Sequence, residues 1–319
     1  MPRVTEVIVL ADPHDTSLSR LDQARDRARF VVGQDARTLV QEAPEAEVLL
    51  YCAGNRASFE IACRSLPQLR WVHSRWAGVD GLMFPALAES DIPFTNSRGV
   101  FSRALAEFAL TAVLYFTKDV PRLRRQQAAR RWDPFLVEEL DGKVLGILGF
   151  GDIGRAIAVR ARAFGMRILA VTRAEDGLAD EAFPRERQQE LITRADVVAL
   201  ALPLTEATRG LFGAAAFAAM KPTAVLVNVG RGATVDEPAL VAALQAGRIR
   251  GAGLDVFAEE PLPEASPLWG LENVLLSPHT ADRTATWLDE AMDLFLENLR
   301  RFQERRPLLN LMADKRRGY

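Results

Sequence analysis

Apolar residues along this chain gather into short, almost unbroken runs, separated by longer stretches in which they recur every three or four positions. The runs are "EVIVL", "EVLLY", "LRWVH", "KVLGILG", "MRILAVT", "DVVALAL", "TAVLVNV", "IRGAGLDV" and "NVLLS". Their length and their content of Val, Ile and Leu predict strands, and the intervening periodic stretches predict helices. Within "VLGIL" and "VVALAL" no polar residue alternates with the apolar ones, as expected of strands covered on both faces in a parallel sheet. The pattern therefore predicts an α/β protein of doubly wound parallel sheets.

A glycine fingerprint divides the chain. Residues 1 to about 96 lack it, whereas 97 to about 282 contain it, followed by a full series of strand and helix units. Two domains are expected: residues 97–282 as one, and residues 1–96 completed by 283–319 as the other. The completion rests on "TATWLDEAMDLFLENLRRFQERR", where Trp287, Leu288, Met292, Phe295, Leu296, Leu299 and Phe302 lie near helical spacing. Such a helix can pack back on the first domain, making that domain discontinuous. Between them, "RALAEFALTAVLYFTKDVPRLRRQQAARRW" reads as one long helix, apolar in its first half and basic in its second.

The fingerprint is "LGFGDIGRAIAVRARAFG", with Gly149, Gly151 and Gly154 at the end of a predicted strand and the mouth of a predicted helix. Gly149 permits a tight turn, Gly151 lets a pyrophosphate approach the backbone, and Gly154 lets helix and strand pack closely. Asp152 and Ile153 sit beside the same helix N-terminus, whose unpaired N–H groups favour an anion. This is the dinucleotide-binding arrangement of a Rossmann-type domain.

The second strand of such a unit ordinarily ends in a carboxylate that takes the adenosine ribose of NAD. Here it ends in Thr172-Arg173, a neutral hydroxyl and a fork of donors suited to phosphate. That favours NADP(H) over NAD(H), with Arg173 on the 2′-phosphate. The alternative is a solvent-facing Arg173, with Glu175 or Asp176 reaching back to the ribose.

Three histidines are present. His14 follows the first predicted strand and His73 ends the third, places that suit structural or surface roles. His279, in "NVLLSPHTAD", follows a strand at the edge where doubly wound sheets bind ligands. Two preceding strand ends carry Arg231 in "NVGRG" and Glu260 in "DVFAEEP".

Taken in order, "LGFGDIG", "VNVGRG", "GLDVFAEEP" and "SPHTA" resemble the D-isomer-specific 2-hydroxyacid dehydrogenase family over essentially the full chain. The resemblance implies a Rossmann-type cofactor domain inserted into a flavodoxin-like substrate domain. It implies that Arg231 binds the substrate carboxylate and polarises the keto group, and that Glu260 supports His279 as the acid/base. Glu259 fits the motif less well. "SRWAGVDGL" is similar to the family's substrate loop, so Ala77, Gly78 and Val79 are expected to grip the carboxylate through backbone N–H groups. "ALPLTEATRG" and the neighbouring strand ends similarly imply cofactor contacts from Leu202, Pro203, Thr208, Val229, Gly230, Asp255 and His279, with Val229 and Asp255 near the nicotinamide. The plain alternative for Leu202 and Val229 is core packing.

Reduction of a 2-keto acid requires a cation for the carboxylate, a hydride for the carbonyl carbon and a proton for the developing alkoxide. Arg231, a nicotinamide cofactor and His279 match those needs. Glyoxylate and hydroxypyruvate are the substrates implied by analogy. A dinucleotide-sensing interaction protein and an oxidoreductase of phosphite or formate stay open as alternatives.

Charge and cysteine content narrow the partners. A formal net charge of −2 gives no electrostatic reason to expect nucleic acid or an anionic membrane. The first apolar run is too short for an export signal, and Cys52 and Cys63 lack metal-ligand spacing, so a cytoplasmic protein without a metal is expected. No appended regulatory domain is expected after the last helix. The apolar half of the long helix, with Trp132, implies a homodimer through the cofactor domains.

Overall fold

The computed structural model describes residues 4–172 and 177–315. It divides into two compact units, one formed by Met1–Phe101 with Ala285–Tyr319 and the other by Ser102–Thr284. Both are α/β units built on wholly parallel sheets, as the unbroken apolar runs predict.

The first unit carries strands β1 (Thr5–Leu10), β2 (Ala28–Gly33), β3 (Val48–Tyr51), β4 (Trp71–Ser74) and β5 (Phe94–Asn96) in the order β2-β1-β3-β4-β5. This is the flavodoxin-like order. Successive side chains of a strand point to opposite faces, and here both faces are apolar. Ile8, Leu10, Leu49 and Tyr51 enter one layer with Phe59 and Phe94. Val7, Val9, Val48 and Leu50 enter the other with Trp71 and the helix Trp287–Gln303. That helix contributes Met292, Phe295, Leu296 and Leu299, and Phe295 stacks on Trp71 with ring centroids 5.4 Å apart.

In the second unit, β6 (Val144–Leu148), β7 (Arg167–Val171), β8 (Glu181–Phe183), β9 (Val197–Leu200), β10 (Val225–Asn228), β11 (Gly251–Leu254) and β12 (Val274–Leu276) form a seven-stranded sheet. Its order, β12-β11-β10-β9-β6-β7-β8, reverses direction between β6 and β9. Ligands of open parallel sheets bind at such a reversal, outside the carboxyl ends of the strands.

Two features depart from the sequence pattern. Strands β2, β5 and β8 are absent from the apolar runs; each lies at a sheet edge, and β5 and β8 have only three residues each, too few to show a period. The long helix is also broken, into Ser102–Thr117 and Val120–Ala128. Asp119 adopts a left-handed backbone (φ 47°) and accepts a hydrogen bond from the Arg122 N–H, while Pro121 stands in the first turn of the second helix. A proline has no N–H to continue the first helix and suits the first turn of the next.

His73 belongs to the core of the first unit. It is fully buried between Trp71 and Phe295, its Nδ1 lies 2.7 Å from the Thr95 hydroxyl, and its Nε2 has no partner among the described residues. Burial pushes its imidazole down to about 3. The unfolded chain takes up that proton near pH 6.5, so below this pH the unfolded state binds more protons and stability falls until about pH 3. Denaturant unfolding should lose about 2 kcal/mol from this group between pH 7 and pH 5, and His73→Gln should flatten that part of the dependence.

Candidate active site

The glycine turn after β6 sits at the reversal. Gly149 has φ 97°, a conformation that L side chains rarely adopt, and a Cβ there would lie 2.5 Å from the Ala201 carbonyl oxygen after β9. Gly154, in the first turn of the helix Asp152–Ala163, is equally confined: a Cβ would lie 2.2 Å from the Gly149 carbonyl. Gly151, the residue that caps this helix, differs, because a Cβ placed there meets nothing within 4 Å. Space is thus left open at the exposed N–H end of the helix, beside Asp152 and Ile153. Leu202 and Pro203 follow β9, where Thr208 fixes the loop by donating to the Pro203 carbonyl at 2.6 Å and accepting from the Thr205 N–H at 2.8 Å.

Three neighbouring strand ends carry Arg231, Glu260 and His279. Arg231 follows β10 through buried Val229 and Gly230, with its backbone carbonyl taken by Asn228 at 3.1 Å and by the Thr234 hydroxyl at 2.6 Å. Gly232 brings this loop against the next, since a Cβ on it would fall 1.9 Å from the Phe257 backbone. The Phe257 N–H holds Glu260 Oε1 at 2.9 Å, leaving Oε2 2.7 Å from Nδ1 of His279. Glu259 is exposed, as Glu260 is, but the bonds to the Phe257 N–H and to His279 are made by Glu260.

Asp255, at the end of β11, fixes the histidine. It is fully buried, and its Oδ1 accepts hydrogen bonds from the Ser277 hydroxyl at 2.5 Å and from the N–H groups of Thr280 and Ala281 at 3.0 Å each. Its backbone carbonyl accepts the His279 N–H at 2.9 Å, and His279 itself is held at φ 50°. Oδ2 of Asp255 is buried with no partner among the described residues. Asp282, one turn beyond His279, has its carboxyl raised by burial and by Asp255, against the opposing pull of His279.

In the first unit, the loop after β4 shows a comparable order. The Asn96 amide donates to the Ala77 carbonyl at 2.8 Å and the Ser97 N–H to the Trp76 carbonyl at 3.3 Å. In a trans peptide the carbonyl and the following N–H point to opposite sides. Both bonds therefore turn the N–H groups of Ala77 and Gly78 away from the end of β5. Among the described residues, the N–H groups of Ala77, Gly78 and Val79 meet no acceptor.

The model of the D-isomer specific 2-hydroxyacid dehydrogenase NAD-binding domain matches residues 110–281. The chain belongs to this family. Glyoxylate/hydroxypyruvate reductase B of Klebsiella pneumoniae is 39% identical over 293 residues, covering 87% of this chain and 88% of that protein. Glyoxylate reductase of Thermococcus gammatolerans is 36% identical over 299 residues, covering 89% of each. The crystal structure of the NADPH-dependent glyoxylate/hydroxypyruvate reductase of Sinorhizobium meliloti in complex with NADP and malonate superposes with a TM-score of 0.81, at 30% identity over 99% of both chains. The chain is accordingly an NAD(P)-binding oxidoreductase.

The dehydrogenase fits its cofactor. The open face of Gly151 would take a pyrophosphate, and the unpartnered Asp255 Oδ2 would take a donor such as a carboxamide N–H. Thr172 directly follows β7, with its N–H bonded to the Phe183 carbonyl at 3.0 Å, whereas Arg173, Glu175 and Asp176 lie outside the described residues. Neither cysteine offers a nucleophile, since burial pushes the Cys52 and Cys63 thiols up to about 12. Sequence reasoning missed Asn96, on the unrecognised strand β5; Asp282, Ser277 and Asn228 sat within quoted motifs without an assigned task.

The two confined and open glycines separate folding from binding. Gly154→Ala should lower the thermal midpoint, at an overpacking cost of about 1–3 kcal/mol. Gly151→Ala should leave the midpoint within a degree or two and weaken nucleotide affinity at least tenfold, as read by fluorescence titration.

Proposed function

We propose that the protein reduces a small 2-keto acid, glyoxylate or hydroxypyruvate, to the D-2-hydroxy acid, and that NADP(H) is preferred over NAD(H). The observation that carries this reading is the hydrogen-bonded Glu260–His279 pair at 2.7 Å, one strand end from Arg231. Unit Ser102–Thr284 is the cofactor domain and the other unit the substrate domain. Gly149, Gly151, Asp152, Ile153, Gly154, Leu202, Pro203, Thr208, Val229, Gly230 and Asp255 border the cofactor.

The nicotinamide cofactor, when bound in reduced form, supplies a hydride to the carbonyl carbon. Arg231 offers a fork of donors to the substrate carboxylate and keto oxygen. In the substrate unit, Ala77, Gly78 and Val79 offer backbone N–H groups suited to a carboxylate. His279, protonated, gives the proton on the ring nitrogen opposite Glu260 to the alkoxide as it forms. Glu260, bonded to Nδ1, keeps the ring oriented so that its opposite nitrogen faces the oxygen that takes the proton. In the oxidative direction the neutral histidine takes that proton back.

The NADP preference rests on Thr172-Arg173 in place of a carboxylate and on the NADP complexes among related structures. Trp132 and Leu136, exposed at 95% and 100% in the cofactor unit, support a homodimer in which a second copy covers them.

The test is kcat/KM with NADPH and with NADH, each on glyoxylate and hydroxypyruvate, for wild type, Arg173→Ala and His279→Ala. A strong NADPH preference that collapses in Arg173→Ala is expected, with kcat lowered about 100- to 10,000-fold in His279→Ala. Turnover that survives His279→Ala would overturn the assignment of the acid. Light scattering should give twice the 35.2 kDa chain mass, falling towards one chain in a Trp132→Ala, Leu136→Asp variant.

A further inference from the structure

Arg75 opens the loop that leads from β4 to Ala77, Gly78 and Val79, and it is buried, with only 4% of its side chain exposed. A buried guanidinium is costly unless its donors are used. One terminal nitrogen, Nη1, lies 2.5 Å from the Asp15 carboxylate and 2.9 Å from the Ser17 hydroxyl, both after β1. The other, Nη2, donates to the Cys52 carbonyl after β3 at 3.2 Å. The same carbonyl accepts the Trp76 indole N–H at 2.8 Å, and the guanidinium carbon lies 5.3 Å from the Trp76 ring centroid. Burial raises the Asp15 carboxyl, but hydrogen bonds from Ser17 and Arg75 and the Arg75 charge outweigh it, so Asp15 lies below the usual carboxylate range and is ionised at neutral pH.

These bonds tie the carboxyl ends of three strands together through one side chain. The loop is then clamped on both flanks: by Arg75 and Trp76 on the β1 and β3 side, and by Asn96 and Ser97 on the β5 side. An apolar side chain of similar length could fill the space without the cost of a buried charge, and Nε of Arg75 stays unpartnered among the described residues. A net contribution to folding alone is therefore a poor reason for the arginine. What it does supply is a fixed path for the Trp76–Val79 backbone.

We infer that Arg75 is a positioning residue for substrate: by joining Asp15, Ser17 and the Cys52 carbonyl, it fixes the Trp76–Val79 backbone, so that the N–H groups of Ala77 and Gly78 stay turned away from β5 and, with that of Val79, are held ready for the substrate carboxylate. This rests on the substrate role proposed for that loop. It predicts an effect on the keto acid and none on the nucleotide.

Steady-state kinetics and nucleotide titration of wild type, Arg75→Lys, Arg75→Met and the charge-neutral pair Arg75→Met, Asp15→Asn test this, with glyoxylate as the probe. The expected result is a KM for glyoxylate raised at least tenfold in both Met variants, with kcat within threefold and NADPH affinity unchanged. Arg75→Lys, which keeps the charge on Asp15 but lacks the fork that also reaches Cys52, should fall between. Amide exchange at Ser97 and Leu82, whose N–H groups bond to the Trp76 and Val79 carbonyls, should quicken in the same rank order. An unchanged KM in any variant that folds and binds NADPH would overturn the inference. If Arg75→Met does not fold, Arg75→Lys decides alone. A wild-type enzyme that turns over no 2-keto acid would instead overturn the proposed reaction, and unchanged exchange in Arg75→Lys would then dispose of the clamp independently.

Discussion

A single buried carboxylate governs the geometry at the crest of the second sheet. Asp255 follows β11 with its side chain out of water, where a carboxyl group without partners would cost more than one hydrogen bond returns. The chain after β12 answers that cost with the Ser277 hydroxyl and two backbone N–H groups, all converging on one oxygen. A hydrogen bond contributes about 0.5–1.5 kcal/mol, so the loop carrying His279 cannot drift without giving up several of them. The imidazole inherits its place from this arrangement, and Glu260 then only has to orient the ring.

Close backbone contact does the corresponding work between loops. Strand ends in a parallel sheet stand side by side, but side chains would ordinarily keep the loops above them apart. The missing Cβ at Gly232 removes that spacer, so the arginine loop and the Phe257–Glu260 loop lie against each other. The first unit orders its own loop differently. There, carbonyls are drawn inward by Asn96 and Ser97, and planarity of the peptide turns the N–H groups outward at no further cost. One unit thus presents charged side chains on fixed loops, the other unpaired backbone donors.

Much of this was legible in the chain. Strands covered on both faces need apolar residues at every position, which is why β1, β3, β6, β9 and β10 stand out as runs. The glycines at 149 and 154 stood out by their spacing, and the residues at 231, 260 and 279 by the strand ends that carry them and the family motifs around them. Edge strands such as β5 and β8 were not, being three residues long and so too short to show a period. With β5 went Asn96, whose task depends on a carbonyl 19 positions away. The helix break at Asp119 was written in Asp-Val-Pro, but the apolar and basic periodicity on either side concealed it. Arg75 looked like one basic residue among 40 Lys and Arg, because its partners come from residues 15, 17 and 52.

The stacking of Phe295 on Trp71 has a further bearing on how the molecule is made. The layer of the first unit that holds Val7, Val9, Val48, Leu50 and Trp71 is sealed by residues 292–299, nearly the whole chain later. The second unit draws on the continuous segment Ser102–Thr284. On the ribosome, where domains fold as they emerge, the residues that start the first unit wait with one apolar face uncovered while the second unit completes its core. The unit whose synthesis begins first is therefore the last to close.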